Sequence, residues 1–377
     1  MSDMADAIRI DIATRIVASD EDFYIVRPGK GFTLYPDFSA RSAVFLDFPD
    51  LDLAAFQAAG DTTLRREMAV RSMAIRDWHL GGRRGLPPSR DIAAYAGKSF
   101  RARLGHYVSA IDKLYFQLPD QTVVIVPGPG YWSDVLIGVL DGPALDFRDF
   151  TLYPEENLPG RRVRWLGRRQ KASFSEAARD RLKNPHPLMQ LERGLRDEFL
   201  RSAYDQYVIG DRYTARFRTE SDDYSSLDDQ DITSFVNYIA GIIAQLEEKG
   251  PDQAVTEAEA IALLRQFRDR IPDLSTNISS PGFLRLLSER IDPVTIALFM
   301  ALATSGITPS TAQTIEVINS AGANHDACAL KVSQQAKGAM SIMAFDDWQE
   351  HCHRLTDAAK NVHLKTSMKV HHKRKSQ

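Results

Sequence analysis

QTVVIVPGPGYWSDVLIGVL, residues 121–140, divides into two apolar runs on either side of a rigid turn. Val123, Val124, Ile125 and Val126 are β-branched and suit a pleated strand. Pro127 and Pro129 fix φ, while Gly128 and Gly130 accept angles that other residues avoid. The second run, 135–140, is apolar again, so the pattern predicts two short strands joined by a tight turn. Tyr131 and Trp132 stand at the exit of that turn. Two large flat side chains at a strand end either line a pocket or cover the core.

Outward from this hairpin, the first half of the chain reads as β-rich. Residues 22–26 predict a strand entering the turn Arg27-Pro28-Gly29-Lys30-Gly31, and 43–48 (AVFLDF) predict a second strand ended by Pro49. Residues 51–59 and 64–78 have helical patterns, and 81–89 (GGRRGLPPS) is a loop. Residues 161–166 (RRVRWL) alternate charge with apolarity like a strand with one buried face, which places Trp165 in the core. A helix follows from an N-cap at Ser173 or Ser175, and another is expected over 189–207. Beyond the acidic, Ser-rich stretch 220–231 the pattern becomes helical at 232–248, 256–270, 282–290, 293–303 and 346–362. A short hairpin, 314–319 with 329–333, interrupts it. The expected fold class is α+β: a β-rich domain at 22–200, an acidic connection at 201–231 and a mainly helical domain at 232–363. Residues 1–21 are expected as an N-terminal extension, and 364–377 as a mobile basic tail.

Composition narrows the function. A chain of 377 residues exceeds the usual span of one core, so two domains are the default. Only Cys328 and Cys352 are present, which argues against a disulfide framework and for a reducing compartment. The N-terminus carries Asp3, Asp6 and Asp11 and has no continuous apolar stretch of the secretory kind. The longest apolar run, 294–303, is shorter than the roughly 20 residues a bilayer requires. A cytoplasmic protein without a membrane partner is expected. The net charge of −3 argues against a uniformly basic nucleic-acid binder, but the charge is uneven. Arginines concentrate at 65–103 and again at 161–183, whereas 205–259 is acidic. The planar fork of arginine suits phosphate better than a point charge does, although solvated Arg-rich faces are also common.

The order FYIVRPGKG (23–31), AVFLDFPDL (43–51), VVIVPGPGYWSDVLIGVL (123–140) and RRVRWL (161–166), with a following Ser-x-Ser helix, resembles a PUA-like domain of the EVE type. A version of that domain stands at the front of certain restriction and defence proteins. The resemblance covers about 22–191, and Asp47-Phe48 occupies the place where a Gly-Trp pair is usual. It implies a small β-barrel whose pocket accepts a modified or flipped base between aromatic side chains, in DNA or RNA. On that basis Arg27, Phe48, Tyr131 and Trp132 are base-binding candidates, and Trp78, near the basic loop, is a further one. Arg83, Arg84, Arg161, Arg162, Arg168 and Arg169 are the phosphate-binding candidates, supplying affinity without sequence information.

Catalytic patterns are sparse. The chain has no Walker loop, G-x-S-x-G elbow, H-E-x-x-H or dinucleotide fingerprint. Glu247-Glu248-Lys249 has nuclease-like letters at a helix end, and Glu316, Asp326 and Lys331 share the expected hairpin. They leave a metal-dependent nuclease as an alternative. His325, Cys328, His351, Cys352 and His353 have zinc-ligand chemistry. Adjacent helix residues diverge, however, which favours buried cysteines with surface histidines and no bound metal or cofactor. The leading expectation is a nucleic-acid reader whose C-terminal domain meets a protein partner or a second copy. The apolar helix 293–303 is a candidate surface for that, although burial in its own core is the favoured reading. A pure protein-interaction subunit is the other alternative.

Overall fold

The computed structural model describes residues 7–97, 104–221, 223–251, 254–277, 282–305, 314–321 and 327–372. The chain forms two compact units: the continuous span Asp20–Ala203, and a second built from both ends of the chain, up to Ser19 and from Tyr204 onward. Strands β1 (Ala7–Asp11) and β2 (Arg15–Val17) come first and belong to the second of these.

The continuous unit follows. Its elements in order are β3 (Tyr24–Val26), α1 (Tyr35–Arg41), β4 (Ala43–Phe45), α2 (Leu53–Ala58), α3 (Thr62–Leu80), α4 (Leu104–Asp112), β5 (Val123–Pro127), β6 (Asp134–Phe147), β7 (Leu158–Gln170), α5 (Glu176–Leu182), β8 (Leu188–Gln190) and α6 (Arg196–Ala203). They form one six-stranded sheet, ordered β4-β7-β6-β5-β3-β8. The hairpin at 121–140 is present: Val123 pairs with Val139 and Pro127 with Val135. The longer β6–β7 pairing shifts register twice, between Ile137 and Gly138 and between Leu140 and Ala144, and such irregularities bend and twist a sheet. Among the described residues the sheet is open, with β4 and β8 as edges, so hydrogen bonding does not close the expected barrel. A side chain nevertheless links the segments that follow β4 and β3. Asp47, two residues past β4, accepts the backbone N–H of Lys30, four residues past β3, at 3.1 Å.

The core beneath this sheet is aromatic. Phe45 meets the edges of Phe38, Phe147 and Phe150, with ring centroids 5.3, 5.0 and 5.1 Å away. Edge-to-face geometry satisfies the ring quadrupoles. The β4–β7 register sets Phe45 opposite Gly160, where any Cβ would collide with the ring. Helix ends are capped locally: Asp52 accepts from Ala55, Asp61 from Thr63 and Ser175 from Ala178.

On its return the chain forms β9 (Gln206–Ile209), β10 (Arg212–Thr219), α7 (Ser226–Lys249), α8 (Glu257–Gln266), β11 (Asp273–Asn277), β12 (Gly282–Ser288), α9 (Asp292–Thr304), β13 (Thr314–Ile318), α10 (Ala327–Ile342), α11 (Phe345–Asn361) and β14 (Lys369–His372). Two sheets result, ordered β11-β12-β10-β9-β2 and β13-β1-β14. Helix α9 is buried on every side from Asp292 to Ala303 and packs against α7, α10, α11, β10 and β12. The apolar run 293–303 is therefore the centre of this unit's own core, not an association face.

Several expectations need correction. Within the expected N-terminal extension, residues 7–17 carry paired strands: β1 is the middle strand of its sheet, parallel to β13 and antiparallel to β14, and β2 pairs with β9. Lys369–His372 likewise belongs to that sheet, so only 373–377 of the expected tail lie outside the described residues. The stretch 201–231 contains two paired strands, and 282–288 is a strand with alternating burial, not a helix. Residues 189–207 split into β8, α6 and the start of β9. No hairpin joins 314–319 to 329–333, since the latter lies in α10 with Cys328, Val332, Ala336 and Ala339 on its buried face. Both units are thus mixed α and β.

Ile8 and Ile10 are fully buried, while Arg9 between them is half-exposed. Ile10→Ala should lower stability by about 3 kcal/mol, the range for a core isoleucine truncation. Arg9→Ala should cost less than about 0.5 kcal/mol. Urea unfolding of the full chain measures both, and equal small effects would mean that β1 is dispensable.

Candidate nucleic-acid interface

A cavity of about 350 Å³ opens in the continuous unit, lined by Arg27, Gly29, Lys30, Gly31, Asp47, Phe48, Arg76, Tyr107, Pro185 and Pro187. Five segments build it: the turn after β3, the peptide after β4, α3 with Arg76, α4 with Tyr107, and the stretch between α5 and β8 with Pro185 and Pro187. Phe48 and Tyr107 meet edge to face at 5.6 Å and form the aromatic side. Gly29 has φ +74°, and a Cβ there would lie 3.0 Å from Asp47 Oδ2, so glycine lets the backbone approach the carboxylate.

Asp47 is the electrostatic centre of the cavity. Its side chain is buried; Oδ1 accepts the Tyr153 hydroxyl at 2.5 Å and Oδ2 accepts the Lys30 N–H at 3.1 Å. Burial pushes the Asp47 carboxyl above its ordinary range, against the pull of these donors and of the Arg76 charge. Each carboxylate oxygen keeps a second lone pair for a ligand donor. Arg76, also buried, donates to Asp77 Oδ1 at 2.9 Å. A buried acceptor and a buried guanidinium thus stand together on one cavity lining.

The cationic wall continues away from the cavity. Arg27 donates to the Asn184 carbonyl at 3.0 Å and lies over the Phe32 ring, 4.4 Å from its centroid. Lys171 approaches the same ring at 5.3 Å and donates to the Gly128 carbonyl. Burial, reinforced by Arg27 and Lys183, holds the Lys171 ammonium below its usual range. Phe32 itself has φ +65°, a region bulky residues rarely occupy, directly after Gly31 at +69°. Through Phe32 and Lys171 the cavity mouth is linked to the β5–β6 turn.

Of the base-binding candidates, Arg27 and Phe48 line the cavity. Tyr131 and Trp132 do not; they project from the β5–β6 turn with 52% and 72% of their surface exposed, their rings 5.0 Å apart. Trp78 is half-buried, edge-on to His79 and beneath Arg83. The structure adds Lys30, Asp47, Arg76 and Tyr107. Their only sequence signals are an aspartate between Leu46 and Phe48 at a strand end and an arginine on the buried side of a helix.

The arginine candidates separate. Arg161 is buried and donates to the Leu118 and Gly142 carbonyls and to Asp120, at 2.6–3.0 Å, which corrects its assignment as a phosphate anchor. Arg169 is held by Ser173 and Phe174. Arg83 is tied to Glu155 at 3.2 Å. Arg84 and Arg162 are exposed, and Arg168 keeps 78% of its side chain in solvent with Asp134 4.0 Å away.

In the other unit, Glu316 lies 3.8 Å from Arg9, Lys331 is on α10, and Asp326 and His325 lie outside the described residues. Glu247 and Glu248 pair with Arg270 and Arg290. Cys328 and Cys352 are buried, and His353 is exposed. His351 is not a surface histidine: it is buried, stacked on Tyr238 at 4.3 Å, with Glu257 3.2 Å from Nε2. Among the described residues no three such side chains gather as a metal site. No described helix is long and apolar enough to cross a membrane. In comparisons with protein-family models, with curated proteins and with solved structures, nothing matched this chain.

Two substitutions test this description. Tyr153→Phe removes a donor from a buried carboxylate and should cost about 1.5–3 kcal/mol. The missing donor serves the ionised form of Asp47, whose carboxyl burial raises, so the loss should shrink as the pH falls through the titration of that carboxyl. Parallel urea titrations read the difference, and a pH-independent loss contradicts the assigned contact. Arg161→Ala strands two buried carbonyls and should cost about 3 kcal/mol, whereas Arg168→Ala should be neutral within about 0.5 kcal/mol.

Proposed function

We propose that the continuous unit binds nucleic acid and receives a modified or flipped base in the cavity around Asp47, in a restriction or phage-defence setting. The observation that carries this reading is the pairing of a buried acceptor with a buried donor beside two aromatic rings. A nucleobase edge presents N–H donors next to oxygen or nitrogen acceptors, so Asp47 accepts from an amino or imino group while Arg76 donates to its neighbour. The half-buried Tyr107 replaces part of the stacking that an everted base loses, and the buried Phe48 holds its ring edge to face. A volume near 350 Å³ is at the small end of ligand sites and suits one planar heterocycle. The likeness of 22–191 to EVE-type domains supports the same reading.

Tyr131 and Trp132 act outside the cavity. Exposed rings beside a cationic wall offer stacking surfaces to bases that neighbour the everted one, and stacking of this kind is tolerant of sequence. Arg168 and the backbone-anchored Arg27 meet phosphates. The division of labour is simple: the cavity discriminates, and the turn adds affinity.

Fluorescence anisotropy at 50 mM salt, with single- and double-stranded 12-mers that are plain or carry 5-methylcytosine, 5-hydroxymethylcytosine or N6-methyladenine, tests this. At least one modified oligomer should bind 10-fold or more tightly than its plain counterpart. Tyr107→Ala should remove that preference while keeping salt-sensitive background binding. Trp132→Ala should weaken every oligomer by about 10-fold, within the 1–3 kcal/mol of one stacked base. Absence of binding to all oligomers, or an intact preference in Tyr107→Ala, would refute the reading.

A further inference from the structure

A second cavity, about 510 Å³, lies in the same unit between α4 and β8. His106, Lys113, His186, Ser109, Gln117 and Gln190 give it a polar lining, and Pro187 is shared with the first cavity. We infer that it is the subsite for the nucleotide adjoining the everted one, with the intervening phosphate received by Lys113, His106 and His186. This rests on the nucleic-acid reading above and specifies how the strand leaves the base cavity.

Charge is the first argument. The lining of the second cavity contains no acid, and that of the first contains only the buried Asp47. Lys113 has its ammonium 5.6 Å from the Tyr24 ring centroid and no ion pair among the described residues. Its acidic neighbour in sequence, Asp112, is already engaged by Arg65 at 3.2 Å. Arg27 lines the first cavity with the Pro185–Pro187 ridge, and Lys113 lines the second with Pro187, so each cavity has a cation beside the shared proline. A chain of phosphates crossing it meets donors throughout.

Geometry is the second. The His106 and His186 rings approach from α4 and from the ridge, with centroids 5.3 Å apart and planes tilted by 57°. At that spacing one phosphate group can accept a hydrogen bond from each ring, given a reach of about 2.8 Å per bond. Imidazole N–H groups donate in the neutral as well as the charged form, and Lys113 adds the charge. The rigid prolines hold the two cavities in fixed register, as successive nucleotides of one strand require.

Anisotropy with a fluorescein-labelled single-stranded 12-mer, titrated from 25 to 200 mM NaCl, tests the subsite. Lys113→Ala should weaken binding 5- to 10-fold and reduce the salt slope by about 0.7, the share of one phosphate on a single strand. Lys113→Met, which keeps the aliphatic stem over Tyr24, should do the same and guards against a folding defect. The double variant His106→Ala, His186→Ala should weaken binding about 5-fold. All three should keep the wild-type ratio of modified to plain affinity, the opposite of Tyr107→Ala. Lys360→Ala, an exposed lysine of the other unit, is the control for generic charge loss. A Lys113→Met effect no larger than that of Lys360→Ala overturns the subsite and leaves the base cavity standing. A wild-type chain that binds no 12-mer overturns both.

Discussion

The carboxylate of Asp47 holds together what the backbone hydrogen bonds leave apart. The six-stranded sheet has free edges at β4 and β8, and its curvature alone does not join them. By accepting the Lys30 N–H and the Tyr153 hydroxyl, Asp47 ties the peptide after β4 to the turn after β3 and to the segment between β6 and β7. A buried carboxylate is expensive unless its lone pairs are used. Two donors from separate segments therefore make the closure specific: a shifted turn would strand the charge. The same group then lies exposed to whatever enters the cavity, so one residue carries both the architecture and the chemistry.

What was legible in the sequence was local. The β5–β6 hairpin could be read because its strands are seven residues apart and Pro-Gly turn chemistry lies between them. The helix after Ser175 announces itself by its cap, whereas the one after Ser225 begins at Ser226, inside the stretch read as an acidic connection. What failed was non-local. Strand β1 pairs with β13 some three hundred residues away, and nothing in the string AIRID names that partner. The run ACALKVSQQ has no turn signal to separate it from a strand. Only its continuation to Ala336 and Ala339 shows the three-to-four spacing of a helix face.

The candidate site divides the same way. Arg27 and Phe48 are reached through the resemblance, Arg27 directly after one predicted strand and Phe48 as the last residue of another. Arg76 and Tyr107 are not, since helix periodicity marks a residue as buried without saying what it is buried against. The arginine blocks misled for a related reason. Arg161 shares the face of Val163 and Trp165, the side that alternation buries, and β7 does turn it inward onto the Leu118 and Gly142 carbonyls; its charge alone suggested a solvent role. Guanidinium groups are good partners for orphan carbonyls, so a cluster of arginines mixes structural donors with free ones. Only partners in space separate them.

The backbone around the two cavities is unusually constrained. Pro28, Pro127, Pro129, Pro185 and Pro187 fix φ along the segments that form the ridge and the aromatic turn. Gly29, Gly31 and Phe32 all have positive φ. Phe32 pays a steric cost for it that its packing with Arg27 and Lys171 offsets. Loops this restricted lose little freedom when a ligand binds, and avoided entropy loss appears directly as affinity. Rigidity also sharpens selection. On the proposed reading, a flexible wall would adjust to a base lacking the right donor, whereas a fixed Asp47 would be left desolvated and unmatched. With a net charge of −3, attraction to phosphate would then have to come from local arrangement. A rigid cationic ridge beside one buried acid is an arrangement that keeps general attraction and specific recognition on separate residues.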